Sequence, residues 1–230
     1  MPPIILACRV LQSLVESNLH GTALPSTFMD YGLHRTPQLM TPALQAEIDR
    51  IAEPSTIVVG YGLCGNGLAG LKSRRHTLVV PRVDDCIALL LGSRERYLEE
   101  FTAEPGTYYL TKGWLESGSH PLKEYRDYCD KYGQETADWL VDEMYGKYQR
   151  IVLVAPDPAE LDAYRAQAQE IAEFCAARWG WRYEERVGSA DYVARLVTQA
   201  HTLAQSTNDF VIIPPGGEIK PEMFWREAVS

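Results

Sequence analysis

The chain has 230 residues, 46% of them hydrophobic and 23% charged, and a formal net charge of -9. That length fits one α/β domain or two small ones with a buried core, and the negative balance argues against nucleic-acid binding, which needs a basic face. No apolar run approaches the roughly 20 residues of a membrane span. The N-terminus, Met1-Pro-Pro-Ile-Ile-Leu-Ala-Cys8, lacks a basic leader and reads as a strand rather than a signal peptide, so the cytoplasm is the expected location. Five cysteines at irregular spacing do not form a disulfide framework, and reduced thiols are expected, as core residues or ligands.

In chain order, Ile4 to Ala7 reads as a buried strand with Cys8 at its C-terminal end, and Val10 to Leu19 as a helix. Leu24 to Pro42 is an irregular, Pro-containing passage that holds His34, and a helix from Pro42 to Ile51 follows it. Thr56 to Val59 is a second apolar strand. It runs into Gly60-Tyr-Gly-Leu-Cys-Gly-Asn-Gly-Leu-Ala-Gly70, whose end, Leu68 to Leu71, is expected to open a helix. His76 to Val80 is a third strand, followed by Pro81-Arg-Val-Asp-Asp-Cys86 and an apolar helix from Ile87 to Leu91 that Gly92 ends. Arg94 and Arg96 read first as part of a solvated face, and otherwise, with Arg82, as cations for a carboxylate or phosphate near the cleft. Gly106 to Leu110 is a fourth strand, and Tyr125 to Tyr148 is helical with a break near Gly133. The last third alternates: strand Ile151 to Ala155, helix Asp157 to Trp179, strand Trp181 to Arg186, helix Ala190 to Ala204, strand Phe210 to Ile213. Such alternation implies β-α-β units in a parallel, Rossmann-like α/β sheet flanked by helices. A boundary near 148–151 divides the chain into two α/β lobes, 1–148 and 149–230, unless they form one continuous domain.

The chemistry concentrates at strand ends. Cys8, Cys64 and Cys86 each lie at or just past the C-terminal end of an expected parallel strand, the edge where open α/β sheets bind ligands. If these strands are neighbours, the three thiols face one cleft. His34 is a candidate fourth donor, with Asp85 as a ligand or outer acceptor. Three thiolates and an imidazole suit tetrahedral zinc, whereas three thiolates with an open fourth position suit an iron–sulfur cluster. Cys129 and Cys175 sit in helical patterns and read as core. The bland alternative for all five is plain packing, since free cysteine is among the most buried residue types.

The glycine stretch supports other readings. Gly60-x-Gly62-x-x-Gly65 and Gly65-x-Gly67-x-x-Gly70 both match the dinucleotide fingerprint, with Asp84 or Asp85 about 20 residues later. Gly62, Gly65, Asn66 and Gly67 are then the cofactor-binding loop, and Arg82 is the nearby cation for a carboxylate or phosphate. Against this, Pro81-Arg-Val separates the acid from its strand. Cys64 as a lone nucleophile with His34 as base is a further option, but it leaves Cys8 and Cys86 unexplained.

Several passages carry a resemblance: Ile-Leu-Ala-Cys8, Leu-His34-x-x-Pro37, Gly-Tyr-Gly-Leu-Cys64-Gly-Asn-Gly, Pro81-Arg-Val-Asp-Asp-Cys86, Gly92-Ser-Arg-x-x-Tyr97, and Pro105-Gly-Thr-Tyr-Tyr-Leu-Thr-x-Gly-Trp114. With these the chain resembles an uncharacterised bacterial and archaeal family, domain of unknown function sixteen-thirty-eight. Where that family carries Asp-Thr-Gly after a later strand, this chain has Ala155-Pro-Asp157. The resemblance implies a setting beside corrinoid-dependent methyltransferases for methylamines and betaines, and no established activity. The resulting expectation is a cytoplasmic metal-binding protein of one-carbon metabolism, with Cys8, Cys64, Cys86 and His34 around zinc or an iron–sulfur cluster. Its partner would be a small molecule or a corrinoid protein, and a homo-oligomer is compatible. The alternatives are a non-catalytic accessory module that handles a corrinoid or metal, and a dinucleotide-dependent oxidoreductase.

Overall fold

The computed structural model describes residues 2–19, 24–199, 202 and 205–225; the side chains of His34, Arg35 and Gln199 lie outside that description. Among the described residues the strands are β1 (Ile4–Cys8), β2 (Ser26–Met29), β3 (Thr56–Gly60), β4 (Thr77–Pro81), β5 (Thr107–Leu110), β6 (Arg150–Ala155), β7 (Arg182–Val187) and β8 (Phe210–Ile213). The helices are α1 (Gln12–Asn18), α2 (Pro37–Arg50), α3 (Cys86–Leu91), α4 (Arg94–Ala103), α5 (Lys112–Ser117), α6 (Pro121–Tyr132), α7 (Gln134–Tyr145), α8 (Pro158–Trp179) and α9 (Asp191–Gln199). None of these helices is long and apolar enough to cross a membrane. The expected end of the helix over 190–204 falls partly outside the described residues.

The chain is α/β throughout, but it packs as two units: Met1–Arg94 with Ala190–Ser230, and Glu95–Ser189. This division differs from the 148–151 boundary read from the sequence. The reason is β8, which returns to the first sheet after the second has been completed. The first unit holds a five-stranded sheet in the order β2-β1-β3-β4-β8. Its first four strands run parallel, and β8 lies antiparallel along β4, with Val80 opposite Val211. The expected parallel order holds for β2, β1, β3 and β4, and β8 joins them as an antiparallel edge strand. The central strands β1, β3 and β4 are buried at all but their first residue, as their unbroken apolar runs require of strands covered on both faces. Met40, Leu44 and Ile48, spaced four apart on α2, are fully buried. Helix α3 is buried at all six positions, and Gly92 closes it in the left-handed region (φ 80°).

The passage after β3 is not a helix. Cys64, Gly65 and Asn66 have φ of 47°, 63° and 65°, and Gly70 has 84°. Four left-handed residues in seven cannot lie in a right-handed helix, so this stretch coils through successive tight turns, with Gly67 N–H on Cys64 O and Ala69 N–H on Asn66 O.

The second unit holds the three-stranded parallel sheet β5-β6-β7. Alternate residues of β6 serve opposite faces. Ile151, Leu153 and Ala155 join Leu161, Ala168, Ile171 and Cys175 of α8 in one apolar core. Arg150, at the start of the same strand, is buried on a polar face, where it donates to Thr107 Oγ1 (2.7 Å), Glu100 (2.8 Å) and Glu184 (3.0 Å).

Candidate functional site

The three cysteines singled out in the sequence come together because β1, β3 and β4 are neighbours and share a direction. Cys8 is the last residue of β1, Cys64 lies four residues past β3, and Cys86 opens α3 five residues past β4. Two backbone bonds pin the glycine turn to the chain leaving β4: Leu63 N–H to Val83 O and Cys64 N–H to Asp84 O, both 2.9 Å. A Cβ on Gly62 would sit 2.8 Å from the Asp85 Cα, so only glycine permits this approach. In consequence the Cys64 and Cys86 sulfurs stand 3.7 Å apart. The Cys86 thiol also hydrogen-bonds Cys8. All three are free and buried.

The environment of these thiols is tuned. Cys8 Sγ accepts from Val10 N–H at 3.4 Å, a contact that favours its thiolate. Even so, the Cys86 thiol beside it and burial push the Cys8 pKa well above the usual thiol value. Cys64 is raised for the same two reasons, with the Asp85 carboxylate adding to the effect. Burial likewise raises Tyr61, which stays a protonated donor. Cys8 and Cys64 therefore resist ionisation while their neighbours are present without a cation. Tyr61 was not singled out in the sequence. Its position between Gly60 and Gly62, at the exit of a buried strand, was the available signal.

The remaining candidates sit as follows. His34 lies in a short 3-10 segment, Tyr31–Arg35, and its side chain is outside the described residues. Asp85 caps α3, accepting Ile87 N–H at 2.8 Å. Arg82 donates to the Thr207 and Met223 carbonyls and so ties β4 to the chain around β8. Gly67 meets Met40 Sδ, which would lie 2.8 Å from an added Cβ; its bare face, like that of Gly62, is filled by protein. Gly65 and Asn66 are exposed at the tip of the turn. The helix that would aim its N-terminus at a pyrophosphate in a dinucleotide fold is absent from this turn. Cys175 is core, with burial pushing its thiol up to about 12, and Cys129 is half-buried on α6. Arg94, expected on a solvated face, is instead buried. Among the described residues, no group of three or more His, Cys, Asp or Glu side chains is already arranged to hold a metal ion; the thiols meet pairwise, through Cys86.

A family model described as a protein of unknown function (DUF1638) matches residues 28–197. The chain belongs to this family. The matched span of the DUF1638 protein includes Cys64 and Cys86 and begins after Cys8. No curated protein matches the chain, and no solved structure does.

Proposed function

We propose that this DUF1638 protein is a metal-binding protein in which Cys8, Cys64 and Cys86 supply thiolates to zinc or to an iron–sulfur cluster. The observation that carries the reading is the 3.7 Å separation of the Cys64 and Cys86 sulfurs. Two sulfurs bound to one tetrahedral zinc at about 2.3 Å are necessarily about 3.8 Å apart, so this pair needs no rearrangement to chelate. Cys8 reaches the set through Cys86, and its Val10 N–H donor is of the kind that orients and stabilises a ligating thiolate. A cation would also relieve the mutual suppression of ionisation that the thiols otherwise impose. A fourth position falls to His34 or to a bound ligand. A thiolate-bound zinc supplies Lewis-acid activation, and a cluster supplies electron transfer. A cluster of reduced thiols suits the cytoplasm. Service beside corrinoid-dependent methyl transfer, with a corrinoid protein or a small molecule as partner, rests on the family resemblance alone.

The test is metal analysis and an optical spectrum of protein purified without oxygen, beside the Cys86→Ser and Cys8→Ser variants. About one zinc per chain, or several irons with a broad band near 400 nm, is expected in the wild type and lost on substituting Cys86. A wild-type chain that carries no metal and takes up neither zinc nor iron on reconstitution overturns the proposal.

A further inference from the structure

Arg94 is a nearly buried arginine whose charge is poorly compensated among the described residues. Its side chain is 10% exposed, and its one ion pair among the described residues is with Asp84, where Nη2 lies 3.6 Å from Oδ2, beyond hydrogen-bond length. Arg94 Nε and Asp84 Oδ2 are both buried without a hydrogen-bond partner among the described residues. A nearly buried guanidinium is costly unless its donors are satisfied. Nε and Nη2 together form the side-on edge that takes a carboxylate or phosphate through two parallel bonds. Here that edge is occupied loosely, by a carboxylate whose own side chain is 41% exposed and so has solvent to turn into. The same Asp84 accepts the Cys64 N–H through its backbone carbonyl, which places Arg94 within on the order of 10 Å of the thiols.

We infer that Arg94 is an oxyanion-binding residue: it receives the carboxylate or phosphate of a small-molecule ligand on its Nε–Nη2 edge, and Asp84 holds that edge until the ligand displaces it. That the ligand's other end serves the thiol cluster rests on the metal reading above; the anion site itself does not. Asp84 thereby acts as an internal competitor, a role that a purely structural ion pair would not have.

The experiment is thermal unfolding of the full chain titrated with sodium acetate and, separately, with inorganic phosphate. Sodium chloride at matched ionic strength is the control, and both metal-loaded and chelator-treated protein are used. The wild type is expected to gain stability saturably with one of the two anions, which identifies carboxylate or phosphate as the ligand group. Arg94→Gln should lose that gain and Arg94→Lys retain part of it, while Asp84→Asn should bind the same anion about fivefold more tightly. No gain beyond chloride in both wild type and Asp84→Asn overturns the inference, as does a full gain in folded Arg94→Gln. Should Arg94→Gln not fold, unchanged or weaker binding by Asp84→Asn overturns it alone. Anion binding by a chain that never takes up metal sinks the metal reading and leaves this one standing; metal binding with no anion effect does the reverse.

Discussion

Replacing Gly62 with alanine tests whether the glycine turn exists to bring two sulfurs together. The new Cβ would lie 2.8 Å from the Asp85 Cα and carbonyl carbon and 2.9 Å from its nitrogen. Carbon–carbon contacts settle near 3.5 Å, so the turn and the chain after β4 must part by about 0.7 Å. Backbone on both sides leaves no flexible side chain to yield. The displacement strains the Leu63–Val83 and Cys64–Asp84 hydrogen bonds, both 2.9 Å. Overpacking of this kind costs about 1–3 kcal/mol, and weakening two backbone hydrogen bonds adds about 1 kcal/mol. A loss of about 2–4 kcal/mol lowers the melting temperature by roughly 5–15 °C in a chain of this size. The same parting separates Cys64 from Cys86, so labelling by phenylarsine oxide, which needs two adjacent thiols, should fall together with the melting temperature. Gly70→Ala is the control: it meets no atom within 4 Å and carries only the strain of φ +84°, about 1–2 kcal/mol, with arsenical labelling intact. A Gly62→Ala chain that melts like the wild type and labels as well would refute the steric argument.

Two further outcomes test the second unit. Arg150→Met removes the one cation shared by Glu100, Glu104 and Glu184, whose nearest contacts are 2.8, 3.5 and 3.0 Å. Arg186 still pairs with Glu100 and Glu184, and Arg182 with Glu104, so the carboxylates keep cationic partners and the loss should be about 1–2 kcal/mol, read by urea unfolding; a midpoint unchanged from the wild type would assign Arg150 no net stability. His120 caps α6 by accepting Lys123 N–H on Nδ1 at 3.3 Å, and burial, with the Arg126 charge, holds its pKa below the usual 6.5. Burial lowers His76 likewise. Below about pH 6.5 the unfolded chain binds protons that the folded one refuses, so stability is complete above that pH and falls as acid is added, by up to about 1.4 kcal/mol per pH unit per histidine. His120→Asn keeps a capping acceptor and cannot titrate, so its denaturation midpoint should depend less on pH between 7.5 and about 5.5; identical pH curves would remove His120 from the account.

The sequence disclosed those elements whose signal is local. The runs Ile4–Cys8, Thr56–Gly60 and Thr77–Pro81 are apolar on both faces because both faces are covered, and that pattern needs no partner to be recognised. Cysteines at three equivalent strand ends then implied convergence, which the strand order realises. What escaped depends on the partner rather than the segment. Strand β2, Ser-Thr-Phe-Met, is half exposed at the sheet edge and lacks an apolar run. Helix α2 begins at Pro37, with Pro42 inside it, although proline ordinarily marks a boundary. The direction of β8 is set by its pairing with β4, some 130 residues earlier. Arg94 looked solvated because its neighbours Glu95, Arg96, Glu99 and Glu100 are charged; only Asp84, reaching it from the chain after β4, shows otherwise.

The electrostatics of the thiol pocket narrow what it can do. A cysteine nucleophile needs a thiolate near neutral pH, prepared by a cation or a basic partner. Here the members of the cluster do the opposite to each other: Cys86 raises both Cys8 and Cys64, and Asp85 raises Cys64 further. Arg94 pairs with Asp84 rather than with a sulfur. A single reactive cysteine would gain nothing from two more thiols in contact with it and would lose thiolate population to them. The crowding is productive for a bound cation, which turns mutual suppression into shared coordination. The proposed metal-binding reading therefore predicts slow alkylation of Cys64 by iodoacetamide at pH 7 in metal-free protein, and rapid alkylation would defeat it.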